Sequence, residues 1–266
     1  MSNFSYIFIT GASSGLGKAM ALSFAKKGVI LFLCARNKQR LNNVALMCEN
    51  KGAQVKQFIF DIRDALQTKQ VIDKISEQHK LDLAIVNAGV SINSLITQED
   101  EDPVRTLFNT NINGVINTTL PIIDILKKQG FGHLCLISSI AGFRGLPNCP
   151  AYSASKNFVK SWGEALYGAL KKKNICVTTV CPGFITTPLT DKNKFYMPFK
   201  MSAEKAAYVI KKGLEKRKGF ITFPYRLSVL VWFASILPSR VLLPILAMLP
   251  TKEDESFEIP FLDKKE

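Results

Sequence analysis

Short apolar runs alternate with helix-like segments along most of the chain, and this alternation restricts the fold more than any other feature. The apolar runs cover residues 6–10, 29–35, 53–61, 81–89, 132–139, 174–183 and 219–224. Between them, the pattern predicts helices over 15–28, 39–52, 65–80, 99–128, 150–172 and 202–216, the last with Ser202 as its N-cap. Nearly continuous apolar strands separated by helices are typical of a parallel sheet covered on both faces. The pattern therefore predicts an α/β fold: a single doubly wound Rossmann-type domain with a seven-stranded parallel sheet.

The domain boundary is expected near residue 224. No segment rich in proline, glycine or serine divides residues 1–224, so we predict one domain there. An apolar helical extension with a charged C-terminus is predicted over 225–266. In a doubly wound sheet, ligands bind at the carboxyl ends of the strands, so motifs at those ends are candidates for function.

The chain is strongly basic, with 35 Lys and Arg against 21 Asp and Glu, a formal net charge of +14. Such a charge is compatible with nucleic acid, an anionic membrane surface or a phosphate-bearing ligand as partner. The basic residues are spread out, however, and no stripe rich in arginine and aromatic residues appears. We therefore expect a lysine-rich solvated surface and no nucleic-acid partner.

The six cysteines form no C-x-x-C pair. Cys34, Cys135 and Cys176 lie in apolar runs, where a cysteine usually behaves as a small core residue. The chain has two histidines, His79 and His133, and neither stands at ligand spacing from a cysteine, so no metal site is expected. The N-terminus shows no signal-peptide pattern, which predicts a cytoplasmic location.

A glycine-rich loop, TGASSGLG over 10–17, follows the first predicted strand and opens the first helix. Its spacing is G-x-x-x-G-x-G. Glycines allow a tight turn and a close approach to a pyrophosphate, and the helix N-terminus favours the anion. The loop is either a dinucleotide-binding site or a structural turn without ligand. Its candidate cofactor-binding residues are Gly11, Ser13, Ser14, Gly15, Leu16 and Gly17.

Three further strand ends offer cofactor contacts. Arg36 follows the second strand with Ala35 before it, so no carboxylate would repel a ribose 2′-phosphate there. This favours NADP(H) over NAD(H), unless Arg36 is simply a surface arginine. Asp61 either accepts from an adenine amino group, with Ile62 beside it, or caps the next turn. Small residues at the end of the fourth strand would let backbone pass close to a cofactor ribose: Asn87, Ala88 and Gly89.

The segment YSASK, 152–156, spaces a tyrosine and a lysine so that they share one face of a helix. A lysine ammonium near a tyrosine hydroxyl favours the phenolate and so lowers the tyrosine pKa. A tyrosine tuned in this way can exchange a proton with a carbonyl oxygen or an alcohol. Ser139, at the end of the fifth strand, is placed to hold that oxygen beside Tyr152. The alternative for Tyr152 and Lys156 is an ordinary amphipathic helix.

Taken in order, TG-x-x-x-G-x-G, NAG, S-x-x-G, Y-x-x-x-K and PG resemble the short-chain dehydrogenase/reductase family over residues 4–224. The resemblance implies hydride transfer between a nicotinamide and a carbonyl or alcohol. It implies that Tyr152 is the acid/base, that Ser139 orients the carbonyl, and that Lys156 lowers the tyrosine pKa and binds the nicotinamide ribose. Asn111, with Asn113 as the rival position, matches an asparagine that holds a water in the proton relay. The segment that places the nicotinamide contributes Pro182, Gly183, Ile185 and Thr187.

The resemblance also implies a lid over the substrate, here about 187–202, that is apolar in its middle at Phe195, Tyr196, Met197 and Phe199. We therefore expect an NADP(H)-dependent ketoreductase acting on a hydrophobic, lipid-like carbonyl compound or alcohol. An apolar lid that packs on its own domain is the alternative. The rival functions are a reductase of a small polar carbonyl compound and a non-catalytic NADP(H)-binding scaffold. Members of the family commonly form homodimers or homotetramers, and we expect the same here.

The apolar part of the extension, 225–250, has only Arg226 and Arg240 as charges. Pro238, Arg240 and Pro244 interrupt it, whereas a spanning helix needs about 20 uninterrupted apolar residues. We therefore predict two short helices rather than a transmembrane span. Three roles remain open for them: a peripheral contact with the inner face of the membrane, a cover over the substrate cleft, or a subunit interface.

Overall fold

The computed structural model describes residues 4–91, 101–187, 197 and 199–248. Nine strands lie in these ranges: β1 (Tyr6–Thr10), β2 (Ile30–Ala35), β3 (Gln54–Ile59), β4 (Leu83–Val86), β5 (Gly132–Ile137), β6 (Ile175–Pro182), β7 (Ile185–Thr186), β8 (Met201–Ser202) and β9 (Phe220–Phe223). Nine α-helices accompany them: α1 (Gly15–Phe24), α2 (Lys38–Glu49), α3 (Ala65–Gln78), α4 (Glu101–Phe108), α5 (Gly114–Gln129), α6 (Pro150–Lys171), α7 (Ala203–Glu215), α8 (Tyr225–Ile236) and α9 (Ser239–Ala247).

Seven of the strands form one parallel sheet in the order β3-β2-β1-β4-β5-β6-β9. Both neighbours of β1 are parallel to it, and the chain order reverses between β1 and β4. This is the switch point of a doubly wound sheet, where a crevice opens beyond the carboxyl ends of the strands. The predicted α/β fold and its seven-stranded parallel sheet are confirmed. The remaining strands, β7 and β8, pair with each other outside the main sheet.

The core has two halves, one on each face of the sheet, because successive strand residues point to opposite faces. Ile7 and Ile9 of β1 pack in the half covered by α1, α2 and α7. Phe8 of the same strand packs in the half covered by α3, α5 and α6. The edge strand β3 departs from the predicted apolar pattern, since Lys56 and Gln57 are exposed on it.

Three helices begin at residues whose side chains can accept a hydrogen bond from the first turn of the helix. Asn37 caps α2 by accepting from the Arg40 amide at 2.8 Å, and Asp64 caps α3 by accepting from the Gln67 amide at 2.9 Å. The predicted cap Ser202 accepts from the Lys205 amide at 3.2 Å at the start of α7. Each cap supplies an acceptor to an amide that has no partner within its own helix.

The long helix predicted over 99–128 is divided in the structure. A π-helical turn, Asn109–Asn113, separates α4 from α5. Such turns accommodate one extra residue in a helix and are frequent at functional sites. The periodicity of apolar residues continues through the turn, so the sequence pattern did not reveal it.

Two of the three cysteines expected in the core, Cys34 and Cys135, are buried, and burial raises the pKa of each thiol. Cys176 is only partly buried, because its sulfur lies at the end of the sheet, 3.8 Å from the Arg217 carbonyl. In the described part of the extension, 225–248, α8 and α9 confirm the predicted helical and apolar character. No helix in the described ranges is both long and apolar enough to cross a membrane.

We predict that two glycines of α6 respond in opposite directions to substitution by alanine. A Cβ at Gly163 would stand 2.2 Å from Thr179 Oγ1 of β6, so Gly163→Ala forces helix and sheet apart. Overpacking of this kind costs about 1–3 kcal/mol. A Cβ at Gly168 meets nothing within 4 Å, so Gly168→Ala should gain up to about 1 kcal/mol from helix propensity. Urea unfolding of both variants measures the two changes. Equal gains in stability would contradict the close packing of α6 on β6.

Candidate active site

The glycines of the loop between β1 and α1 allow a ligand to approach the backbone closely. Gly11 and Gly15 have positive φ angles of 66° and 51°, which glycine adopts without strain. A Cβ at Gly17 would stand 2.2 Å from the Gly11 carbonyl oxygen, so no side chain fits there. Ser14 occupies the N-cap of α1 but its side chain makes no capping hydrogen bond. The first amides of α1 are therefore available to an anion at the helix N-terminus.

The end of β4 is bonded to this loop. The Thr10 hydroxyl oxygen accepts from the amides of Asn87 and Ala88 at 3.0 and 3.1 Å. The Asn87 side-chain amide donates to the Thr10 carbonyl at 3.0 Å. These bonds hold residues 87–89 against the glycine-rich loop and explain why an asparagine and small residues stand at that strand end. Thr10 is a positioning residue that the sequence patterns did not single out.

A cleft of about 1200 Å³ opens at the carboxyl ends of the strands. Every residue predicted to contact the cofactor lines it: Gly11, Ser13, Ser14, Gly15, Leu16, Gly17, Arg36, Asp61, Ile62, Asn87, Ala88, Gly89, Tyr152, Lys156, Pro182, Gly183, Ile185 and Thr187. The structure adds residues that the sequence analysis missed, among them Asn37, Arg40 and Arg63. Arg40 lies four residues after Arg36, a spacing that places both arginines at the start of α2 and could have identified it.

One end of the cleft carries arginines around a single carboxylate. Arg63 donates to Asp61 through Nε at 2.9 Å and through a terminal nitrogen at 2.7 Å, and Arg36 lies 3.5 Å from the same carboxylate oxygen. Burial alone would raise the pKa of Asp61, but these hydrogen bonds and positive charges hold that pKa below its usual value. Asp61 is therefore ionised at neutral pH, and its side chain already has a protein partner.

The other end of the cleft contains Ser139, Tyr152 and Lys156. Ser139 follows β5, where its hydroxyl oxygen accepts from the Ala141 amide at 3.1 Å at the start of a short 3₁₀ turn, Ile140–Gly142. Tyr152 lies in the first turn of α6, close enough to the Ser139 side chain for that side chain to lower the tyrosine pKa. Neighbouring Ser138 donates to the Lys156 carbonyl at 2.6 Å, which fixes α6 against the end of β5.

Burial dominates the ionisation of this end of the cleft. Desolvation raises the pKa of Tyr152 to about 12, and the hydrogen bond with Ser139 opposes that rise. Desolvation also lowers the pKa of Lys156 to about 8. The lysine nitrogen donates to the Ile137 carbonyl at 3.1 Å and lies 5.8 Å from the centre of the tyrosine ring. The tyrosine pKa is thus raised where the sequence led us to expect a lowered one, because desolvation by burial is its largest cause.

Asn111 lies behind the cleft, in the π-helical turn, and is fully buried. Its side chain accepts from the Val90 amide at 2.8 Å and donates to the Val90 carbonyl at 2.9 Å and to Ser155 Oγ at 3.1 Å. Asn113 is exposed and donates to Asn109 instead. Of the two asparagines, the structure therefore brings only Asn111 to the site.

The segment after β6 closes the cleft from the opposite side. A Cβ at Gly15 would stand 3.2 Å from Thr187 Cγ2, so Thr187 lies directly across from the glycine-rich loop. Of the predicted lid, residues 188–196 and 198, including Phe195 and Tyr196, lie outside the described residues. Met197 and Phe199 are described, and both are partly buried. Among the described residues, no group of three or more His, Cys, Asp or Glu side chains is placed to hold a metal.

Comparison with known proteins gives matches over most of the chain. The family profile described as short chain dehydrogenase matches residues 5–195. An uncharacterized oxidoreductase of Myxococcus xanthus is 34% identical over 242 residues, covering 90% of this chain and 96% of that protein. The 3-oxoacyl-acyl-carrier-protein reductase FabG of Thermotoga maritima is 33% identical over 189 residues, 69% of this chain and 75% of that protein. A 3-ketodihydrosphingosine reductase of Bacteroides thetaiotaomicron is 34% identical over 186 residues, 70% of this chain and 65% of that protein.

Solved structures share the fold. A short-chain dehydrogenase from Sphingobium yanoikuyae in complex with NADPH superposes with a TM-score of 0.79 at 23% identity, covering 92% of this chain and 96% of that one. A short-chain dehydrogenase/reductase from Burkholderia phymatum in complex with NAD gives a TM-score of 0.80 at 24% identity, covering 87% and 94%. With its fold, its profile match and its relatives in agreement, the chain belongs to the short-chain dehydrogenase/reductase family and is a dehydrogenase/reductase enzyme.

Proposed function

We propose that the protein is an NADP(H)-dependent oxidoreductase that interconverts a carbonyl compound and a secondary alcohol, and that its substrate is hydrophobic. The observation that carries this proposal is the meeting of Ser139, Tyr152 and Lys156 in the same cleft as the glycine-rich loop. A proton donor, a hydrogen-bond donor for the carbonyl oxygen and a buried cation are then within one site.

The cleft fits a dinucleotide. Its volume of about 1200 Å³ exceeds the ~300–1,000 Å³ of most small-ligand pockets, which leaves room for a cofactor together with a substrate. The glycines at 11, 15 and 17 keep side chains out of the approach to the amides of α1. Those amides suit a pyrophosphate, and the backbone of residues 87–89 faces the same space.

In the reductive direction, bound NADPH supplies a hydride to the carbonyl carbon. Tyr152 donates its phenolic proton to the carbonyl oxygen, and the alcohol forms; oxidation is the reverse. Because burial raises the pKa of Tyr152 to about 12, the tyrosine carries its proton at neutral pH and is ready to act as the acid. We assign to Ser139, which lines the cleft together with Tyr152, a second hydrogen bond to the same oxygen.

Lys156 supplies a positive charge at the site. Because burial lowers the pKa of Lys156 to about 8, the ammonium form prevails at pH 7 and is lost as the pH rises through 8. We assign to that ammonium the binding of the nicotinamide ribose and the stabilisation of the phenolate left after proton transfer. Asn111 acts as a positioning residue, since it holds Val90 and the preceding backbone beside Lys156. A water held by Asn111 in a proton relay stays a prediction from the family resemblance.

The preference for NADP(H) rests on this chain's own arginines, because the similar solved structures hold NADPH in one case and NAD in another. Arg36 is 57% exposed and Arg40 lines the same end of the cleft. Position 35 is alanine, so no carboxylate follows β2 to repel a phosphate. Two guanidinium groups near the end of β2, of which that of Arg36 also lies 3.5 Å from the Asp61 carboxylate, suit a ribose 2′-phosphate.

A hydrophobic substrate is supported by the apolar residues near Ser139 and Tyr152. Val90, Ile137 and Ile185 line the cleft. Two of the relatives are named as reductases of a 3-oxoacyl group and of 3-ketodihydrosphingosine, compounds with a keto group on a lipid chain. A reductase of a small polar carbonyl compound and a non-catalytic NADP(H)-binding scaffold are the rival functions.

Four further expectations stay predictions: assembly as a homodimer or homotetramer, a cytoplasmic location, the lid over the substrate and the division into domains.

The acid/base role is tested by Tyr152→Phe. Loss of the phenolic proton should lower kcat by about 10²–10⁴-fold, the usual contribution of a general acid, while NADPH binding changes little. NADPH oxidation with a ketone measures the rate, and fluorescence titration measures binding. Tyr167→Phe, in the same helix but exposed, is the matched control and should keep full activity. Wild-type rates in Tyr152→Phe would rule out the mechanism, and an inactive wild-type protein that binds NADPH would favour the scaffold.

The cofactor preference is tested by Arg36→Ala and Arg40→Ala. Loss of a charge-assisted hydrogen bond worth about 1.5–3 kcal/mol should raise the KM for NADPH roughly 10- to 100-fold and leave the KM for NADH nearly unchanged. Lys38→Ala removes a neighbouring charge that does not line the cleft, so it controls for general electrostatics. A parallel rise in KM for both cofactors would contradict binding of the 2′-phosphate.

The substrate class is tested with NADPH and methyl ketones of increasing chain length. Each methylene buried in an apolar site contributes about 0.8 kcal/mol, so kcat/KM should rise by up to about fourfold per carbon until the site is filled. Polar hydroxyketones of matched size are the control. A flat or falling series would overturn the hydrophobic substrate and favour a small polar one.

A further inference from the structure

The helices α8 and α9 carry an unusual amount of exposed apolar surface. Of the 17 large apolar side chains exposed in the described ranges, nine lie in or directly after these two helices. They form what we call the extension surface: Tyr225, Leu230, Trp232, Phe233, Ile236, Val241, Leu243, Ile245 and Met248. Only Ser228 and Leu242 of these helices are buried. So many exposed apolar side chains on two consecutive helices usually mark a docking site.

The shape of the extension surface favours a deformable partner. In α9, Leu242 faces the protein, and Val241 and Leu243 project about 100° to either side of it. Both flanks are exposed, by 51% and 61%. Deformable acyl chains can contact apolar side chains on both flanks of a helix, so this shape is compatible with a lipid surface.

The charges point to an anionic lipid surface. Between residues 225 and 248 the only charged side chains are Arg226 and Arg240, both exposed, and no acidic residue occurs there. The whole chain carries a formal charge of +14. Trp232 and Tyr225 have an apolar ring with a polar tip, the combination enriched at membrane–water interfaces. Basic residues near the surface each add about 1 kcal/mol to binding of an anionic membrane.

The extension surface is attached to the edge of the catalytic cleft at two points. Leu227 of α8 lies 3.3 Å from the position of a Cβ on Gly183, a residue that lines the cleft. Arg144, between Ser139 and Tyr152 in the chain, donates to the carbonyls of Ser235 and Leu237 at 2.5 and 2.9 Å. The guanidinium group thus holds the C-terminal end of α8 against the segment that bears the catalytic residues.

We propose that the extension surface docks the enzyme onto an anionic lipid bilayer, with α8 and α9 lying in the membrane interface. Docking brings the edge of the cleft near Gly183 close to the bilayer, so a substrate dissolved in the membrane reaches the site without crossing water. This consequence for substrate delivery rests on the function proposed above, whereas the docking itself does not.

The docking is tested with the full chain and vesicles of phosphatidylcholine, with and without 30% phosphatidylglycerol. In the Trp162→Phe background, Trp232 is the only tryptophan, and its emission should shift to the blue when anionic vesicles are added. The protein should also sediment with those vesicles, and far less with neutral ones. Phe233→Glu/Leu243→Glu should lower sedimentation at least tenfold.

The matched control is Leu66→Glu/Tyr208→Glu, which changes the net charge equally at exposed apolar positions of α3 and α7. It should bind vesicles nearly as well as the wild-type chain. Equal loss in both double variants would mean that net charge alone drives binding, and would overturn the proposal. Absence of vesicle binding by the wild-type chain would overturn the proposal too. If, in that case, Phe233→Glu/Leu243→Glu lowered the molar mass of the protein measured by light scattering, the extension surface would be an interface between copies of the chain.

Delivery of substrate is tested separately from docking. With a long-chain ketone incorporated in anionic vesicles, Phe233→Glu/Leu243→Glu should lower the rate of NADPH oxidation about as much as it lowers vesicle binding. With a short, water-soluble ketone, its rate should match that of the wild-type enzyme. Equal rates on the membrane-held ketone would overturn delivery. Absence of turnover with every ketone would refute the proposed function and leave the binding result standing.

Discussion

The close approach of the glycine-rich loop to the end of β4 is the contact on which the site depends. Gly17 packs so tightly on the Gly11 carbonyl that any side chain would separate helix α1 from the loop. Thr10 and Asn87 then bond the loop to β4 through both backbone and side-chain atoms. Since β1 and β4 meet at the switch point of the sheet, this one contact sets both walls of the cleft. The positions of Gly89, Val90 and the amides of α1 follow from it.

A second constraint is the desolvation of Tyr152, which is partly buried, and of Lys156, which is buried. Desolvation favours the uncharged form of both side chains. It raises the pKa of Tyr152 to about 12 and lowers the pKa of Lys156 to about 8. The two shifts leave a protonated tyrosine and a mostly charged lysine at neutral pH. That combination suits reduction of a carbonyl, in which a proton must be given up near a cation that stabilises the resulting phenolate. At the far end of the cleft, by contrast, the Arg36 side chain is 57% exposed, although its guanidinium also lies 3.5 Å from the Asp61 carboxylate.

The C-terminal extension lies on one particular side of the cleft. Helix α8 packs beside β9, at the edge of the sheet next to β6, and its Leu227 lies next to Gly183 in the segment that closes the cleft. Arg144 joins that edge to the segment between Ser139 and Tyr152, so the exposed apolar side chains of α8 and Tyr152 belong to neighbouring parts of the structure. The proposed membrane contact and the proposed entry of a lipid-like ketone would then lie on the same side of the molecule.

Much of this architecture was predictable from the sequence, because it depends on local pattern. Strand-like runs alternating with helices predicted the parallel sheet, and glycine spacing together with Tyr152, Lys156 and Ser139 predicted which residues line the cleft. Four features were not predictable: the π-helical turn at Asn109–Asn113, the arginine partner of Asp61, the pKa of Tyr152 and the hydrogen bonds from Arg144 to α8. Each depends on groups far apart in the chain and on how completely packing excludes water, so the sequence determined the fold and the residues of the site, and only the tertiary structure decided their contacts and charges.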